Sequence, residues 1–300
     1  MIKNHNRKGV ALISVMIIIA LVSASVSLMW QRFGTDLKQT QYILTQTQAL
    51  NHLYNLEAWA KTILIKDDET IDSLDEPWAT QIPPIQLPSG TLHGRLIDLQ
   101  SRLNINNLID LKTDIYYPKF RLFFYDCLNR LNTQLNQQPM ADTIFSYVVS
   151  QTPTPKSFEH ISTLKNINTI TIKDYLAIKP HLSALPELTA ININTASKQI
   201  LSCVHPQFSH SLVNQIIKKR KDQPFETMDQ FWAFAHTLLP HLTIAQINES
   251  FPVELINVRS QYFLLETEMM INNNKQRGRS ILYRKDGKIT IMNRSYHQAQ

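Results

Sequence analysis

Residues 3–32 read "KNHNRKGVALISVMIIIALVSASVSLMWQR". Three cations, Lys3, Arg7 and Lys8, precede a single Gly9, and from Val10 to Gln31 there is no charge at all. Val10–Trp30 is 21 residues, which as a helix spans roughly 31 Å, the thickness of a bilayer core. The basic flank is N-terminal to the run, so the N-terminus is expected to stay cytoplasmic and the rest to be exported. A secretory signal peptide would have a shorter apolar run and small residues at its far end. Ser23-Ala24-Ser25 offers such a site, and that alternative stays open at this point.

Beyond the run the pattern does not stop. After Gly9 the next glycine is Gly34, and no proline comes before Pro77. Apolar residues recur at Ala49, Leu53, Leu56, Ala60 and Ile63-Leu64, opposite Gln, Thr, Asn and Lys. That is the spacing of an amphipathic helix over 39–66, in phase with the apolar one. Together they predict one rod from Val10 to Lys66, with a soft point at Gly34.

Composition narrows the function classes. The 300 residues are 43% apolar and 18% charged, enough for one or two domains with real cores. Net charge is +6, but removing the three leader cations from 30 basic residues leaves 27 against 24 acidic ones. A nearly balanced body is no nucleic-acid footprint. No HExxH or CxxC occurs, and there is no nucleophile elbow. Histidines five apart (His205/His210, His236/His241) do not share a helical face, so packing or surface roles are expected. No enzyme is expected.

The start of the chain resembles a type IV prepilin-like N-terminus. There a leader, here residues 1–9, is cut after glycine by a prepilin peptidase, between Gly9 and Val10, and the new N-terminal Val10 is methylated. Such chains usually carry a glutamate five residues into the mature protein, where it neutralises a neighbour's terminal amine; here that position is Ser14. One subclass lacks the glutamate, the minor pseudopilin K family of the type II secretion system, and more of the chain resembles it. "NLEAWAKTILIKDD" (55–68) and "LDEPWA" (74–79) are similar to its helix end and following loop. "GTLHGRLIDLQSRLNINNL" (90–108) resembles its first strand and turn, and "ININTASKQIL" (191–201) the start of its helical insert. "SQYFLLETEMMI" (260–271) and "RSILYRKDGKITIM" (279–292) resemble its last strands, and the order of the segments matches too.

The residues support that architecture. Asp286-Gly287 between "ILYRK" and "KITIM" signals a tight hairpin. "FRLFFYDCLNRLN" (120–132), "TIFSYVV" (143–149), "IKDYLAIK" (172–179), "SLVNQIIKKRK" (211–221) and "MDQFWAFAHTLL" (228–239) read as helices. The expected fold is α+β: a pilin-like long N-terminal helix packed on an antiparallel sheet, with a large all-helical domain, helix-hairpin-helix or SAM-like, inserted between strands. The boundaries read as leader 1–9, rod 10–66 with 10–30 transmembrane, first part of the α+β domain 67–111, insert 112–250 and C-terminal strands 251–300.

The resemblance implies a non-enzymatic tip subunit of the pseudopilus that initiates assembly and supports export of folded periplasmic proteins. It implies the minor pseudopilins I and J as partners, with the inner membrane as anchor. The competing readings are a membrane-anchored periplasmic binding module and a helix-hairpin-helix DNA-uptake protein. Against the latter, no glycine lies between Gly94 and Gly278, and "HPQF" (205–208) occupies the hairpin where bare backbone N–H groups would meet phosphate. The run Lys218, Lys219, Arg220, Lys221 then reads as a solvated helix end, and no nucleic acid is expected. Cys127 and Cys203 are either a disulfide, facing an oxidising periplasm, or two buried thiols. The resemblance implies an acidic stretch in the insert, common in the family, at which some members bind calcium. The matching segment here, 132–160, has only Asp142 and Glu159 as carboxylates, so that site is expected to be lost and no cofactor is expected.

Overall fold

The computed structural model of the chain describes residues 7–81, 83–108, 118–150, 157–271 and 274–299. Its first element, α1, runs unbroken over Arg7–Lys66, 60 residues and about 90 Å. The helix passes through Gly34 without a break, and a Cβ there would touch nothing. Continuity follows from composition: a run of this length without proline tolerates one glycine.

Only the last third of α1 is packed. Ala49, Leu53, Leu56, Ala60 and Leu64 are buried. They meet a five-stranded antiparallel sheet of order β1-β2-β7-β8-β9. Its first two strands are β1 (Ile85–Leu87) and β2 (Gly90–Asp98). Gly90 must be glycine, because its φ is 151° and a Cβ would stand 1.9 Å from the Met270 carbonyl oxygen. On β2, Leu92 and Leu96 point to the rod while His93 and Arg95 are exposed, as period-2 alternation requires.

The chain leaves the sheet at Asp98 and comes back opposite it at Phe263. The excursion is mostly helical: α2 (Pro118–Gln134), α3 (Ala141–Ser150), α4 (Ile172–Ile178), α5 (Lys198–Val204), α6 (His210–Asp222), α7 (Met228–Leu238) and α8 (Ile244–Ser250). Thr171, Ser197, Ser209, Thr227 and Thr243 cap five of them, each hydroxyl accepting from an amide three residues on. The insert is not purely helical. β3 (Leu103–Asn104) pairs in parallel with β4 (Leu182–Ser183), and β5 (Ile191–Asn192) with β6 (Ile256–Asn257). These two-residue ladders tie both ends of the excursion to its middle. The segment 191–201, expected at the start of the insert, therefore lies at its centre, preceded by α2, α3 and α4. The insert has its own core, separate from the one under the rod.

β7 (Tyr262–Ile271), β8 (Asn274–Lys285) and β9 (Lys288–Ala299) complete the sheet. The β8–β9 turn has Asp286 at φ 52° and Gly287 at φ 71°, the positive pair that a two-residue hairpin of matching twist demands.

Candidate functional site

In a molecule of this build the working parts are surfaces and the joints that hold them. The largest surface is the rod. From Ala11 to Leu44 its side chains are exposed almost without exception, Leu12, Ile17, Leu21, Met29 and Phe33 among them. α1 is the one described helix long and apolar enough to cross a membrane. The backbone of Gly9 and Val10, the expected cleavage site, is helical, inside the first turns of α1, while residues 1–6 lie outside the described residues. Ser14 sits on the exposed apolar part of the rod.

The rod is held in register by a carboxylate. Glu57 lies on the buried stripe with Leu53, Leu56 and Ala60, and is itself buried. It accepts hydrogen bonds from Ser280, from Arg294 Nε at 3.0 Å and from the Tyr296 hydroxyl at 2.6 Å. Burial pushes its pKa up, but the bonds from Arg294, Ser280 and Tyr296 outweigh that and keep it below the usual glutamate range. An ionised carboxylate with three donors on β8 and β9 fixes both the rotation and the height of the helix on the sheet. A carboxylate inside an apolar i, i+4 stripe was a readable signal in "NLEAWA".

The second joint lies where rod, sheet and insert meet. Arg284, on β8, is buried and donates to Asp67 at 2.9 Å, to Asp72 at 2.6 Å and to the Ser260 carbonyl at 3.1 Å. Asp72 accepts in addition from the Ser260 amide at 2.7 Å. The Ser260 hydroxyl donates to Asp98 at 2.7 Å, and Thr195 of the insert donates to the same carboxylate. Asn192 closes the ring with bonds to the Asp72 carbonyl and the Ser260 hydroxyl. Two carboxylates, Asp67 and Asp72, share one guanidinium, and the buried Asp98 joins them through Ser260. Burial accordingly pushes Asp72 up to about 8, against the pull of Arg284, and raises Asp98 and Asp67 as well. Asp67, Asp72 and Glu76 also bring carboxylate oxygens within 4.8 Å of one another. Arg284 already supplies positive charge there, and Glu76 accepts from Trp78 Nε1 at 2.6 Å.

Buried asparagines do similar work inside the insert. Asn106 grips the Phe158 and Leu185 carbonyls and the Phe158 amide, and Asn104 holds Glu187, Thr189 and Leu185. Asn194 bonds both the amide and the carbonyl of Phe225.

The remaining candidate residues are placed as follows. Cys127 on α2 and Cys203 on α5 are both buried and joined as a disulfide, with Cα atoms 4.5 Å apart. Beside it, Arg130 donates to the Cys203 carbonyl at 2.8 Å. In the α5–α6 turn Phe208 is buried and stacked on Phe251, with the His205 ring 5.0 Å from the same phenylalanine. The hairpin therefore sends Phe208 into the core, with His205 half-buried beside it and Pro206 and Gln207 exposed. Within the basic run, Arg220 turns inward to the Ile193 carbonyl, and burial lowers its pKa to about 10. Asp142 accepts from the Tyr125 hydroxyl at 2.8 Å, and Glu159 is exposed.

Comparison with known proteins fits this layout. Residues 191–241 match the family model described as type II secretion system (T2SS), protein K. The chain is 26% identical to the type II secretion system protein K of Pseudomonas aeruginosa over 98% of its length and 94% of the relative's. It is equally identical to a putative type II secretion system protein K of Escherichia coli K12, over 93% of this chain and 94% of that one. The chain is similar to type II secretion system protein K along nearly its whole length. The fold agrees: a chain in the crystal structure of the GspK-GspI-GspJ complex from enterotoxigenic Escherichia coli superposes with a TM-score of 0.70. The match covers 87% of this chain and all of that one at 20% identity. The protein K family is a structural component of a secretion system rather than a family of enzymes.

Proposed function

We propose that the chain is the minor pseudopilin at the tip of a type II secretion pseudopilus. There it initiates assembly and supports export of folded periplasmic proteins across the outer membrane. The supporting observation is the combination of a 60-residue rod, packed only along its last third, with a bulky insert outside the sheet. The bare apolar part of the rod anchors the precursor in the inner membrane as a single pass, N-terminus in the cytoplasm, and then packs among like rods. Prepilin peptidase removes residues 1–9, and Val10 becomes the methylated N-terminus. A subunit with no neighbour stacked above it has no amine to neutralise, and serine at position 14 suits that place. The partners are the minor pseudopilins I and J, the proteins with which the solved relative was crystallised.

Co-expression with the I and J proteins of the same bacterium tests the assignment. The three should co-purify as one complex. Deleting the chain should abolish secretion while I and J stay in the membrane. A chain that purifies alone, or secretion unaffected by its loss, would sink the reading.

We also propose that this copy works without calcium. Asp142 spends an oxygen on Tyr125, and the neutral amides around it hold a hard divalent ion poorly. Millimolar Ca²⁺ should therefore shift the melting temperature by less than about 1 °C, because an ion that binds only the folded state would raise it by mass action. A large, chelator-reversible rise that disappears in Asp142→Asn would contradict this.

A further inference from the structure

The five-stranded sheet has two edges of very different kinds. β1, at one end, is a three-residue strand and gives little backbone to pair with. β9, at the other, is twelve residues long, and no described strand pairs with its far side. In an antiparallel strand every second residue turns its N–H and C=O away from the existing neighbour, so β9 presents a row of open donors and acceptors. Soluble proteins blunt such edges with charge, but Ile289-Thr290-Ile291-Met292-Asn293 carries none.

The middle of this window is a bulge. Leu282 pairs with Ile291 and Ile281 with Asn293, leaving Met292 as the extra residue. A bulge re-aims a side chain, and Met292 stands 49% exposed on the open edge. A flexible thioether there is a suitable apolar anchor for an incoming strand.

Charge indicates what the occupant is. β8, the turn and β9 hold seven cations (Lys275, Arg277, Arg279, Arg284, Lys285, Lys288, Arg294) and a single acid, Asp286. Five of the cations are paired: Lys275 and Arg277 with Glu268, Arg279 with Glu266, Arg284 with Asp67 and Asp72, and Arg294 with Glu57. Lys285 and Lys288, where β9 begins, form no ion pair among the described residues, while the nearby Glu69 carboxylate is taken up by the Gly287 amide at 2.6 Å. A second copy of the chain fits badly, because antiparallel self-pairing over 289–293 sets Lys288 opposite Arg294 twice, and facing like charges destabilise.

We propose that the β9 edge takes up an extended segment of another protein by strand addition. The segment lies antiparallel to β9, with alternating apolar side chains over Ile289–Asn293 and carboxylates at its C-terminal end beside Lys285 and Lys288. The inference does not depend on the family assignment.

The test uses the full-length chain in detergent micelles and two labelled peptides, alternating threonine and valine, one ending in paired aspartates and the other in paired lysines. By fluorescence anisotropy the aspartate-ended peptide should bind at least about tenfold more tightly. The double change Lys285→Glu with Lys288→Glu should reverse the preference. Met292→Glu should weaken the aspartate-ended peptide about tenfold without lowering the melting temperature. If that variant is destabilised, the charge reversal decides alone. Equal binding of the two peptides, binding of neither, or a preference untouched by the reversal overturns the proposal. A chain that dimerises in micelles through β9, with Met292→Glu restoring monomers, overturns it in favour of self-pairing.

Discussion

Replacing Arg284 with methionine should cost the folded body about 3–5 kcal/mol, the scale seen when one partner of a buried ion pair is removed. Methionine is chosen because it approximates the apolar stem and keeps the contact with the Phe263 ring, 4.9 Å from the guanidinium carbon. What it removes is the positive charge between Asp67 and Asp72, leaving Asp72 with one amide donor from Ser260. The pH dependence identifies the cause. Asp72 is held near 8 when folded and near 3.8 when unfolded, so the native state keeps a proton that the unfolded chain releases. Stability from that proton is greatest at low pH and is lost as pH rises from about 4 through about 8. Without Arg284 the carboxylates are held protonated still more firmly. The deficit of the variant should therefore stay nearly level from about pH 5 to about pH 7, where Asp72 is protonated in both chains, and widen above about pH 8. Thermal melts of both chains from about pH 5 to about pH 9.5 check it. A loss below about 1 kcal/mol, or curves still parallel above about pH 8, would show that Arg284 does not carry the joint.

That joint marks the limit of what could be read from the residues alone. The rod was legible because a 3.6-residue apolar period over Ala49–Leu64 has few structural meanings, and the structure buries those positions. The β8–β9 hairpin was legible because Asp286-Gly287 is a local signal for positive φ. The rod stays continuous through Gly34 because helix formation is cooperative, and one glycine does not break a long run. The buried hub could not be read at all. Asp72, Asp98, Ser260 and Arg284 stand far apart along the chain, in stretches that look like ordinary polar loops and strand ends. The clamping asparagines of "LNINNL" and "ININ" looked like turn formers, since an asparagine that bonds a distant backbone has the same local signature as one that bonds its own. The disulfide was legible only as a candidate, because sequence gives no distance between Cys127 and Cys203.

Replacing Gly9 with leucine should block maturation almost completely. The helix of the precursor already runs through the Gly9–Val10 bond, starting at Arg7. A peptidase needs an extended substrate, so this first turn must unwind before it can be cut. Glycine makes that easy, being about 1 kcal/mol poorer than alanine as a helix former, and it puts no side chain beside the scissile bond. Leucine is wrong on both counts, because it stiffens the turn and fills the space in front of Val10. Gly9→Ala separates the two effects: it stiffens the helix but adds only a methyl group, and should be processed slowly rather than not at all. The readout is the mass and N-terminal sequence of the membrane-bound protein. The native chain should begin at Val10, methylated. The leucine variant should retain residues 1–9, with secretion falling in step. Normal maturation of that variant would refute cleavage at Gly9. A native N-terminus near Val26 would instead make the apolar segment a removable signal, and the rod would then begin outside the membrane.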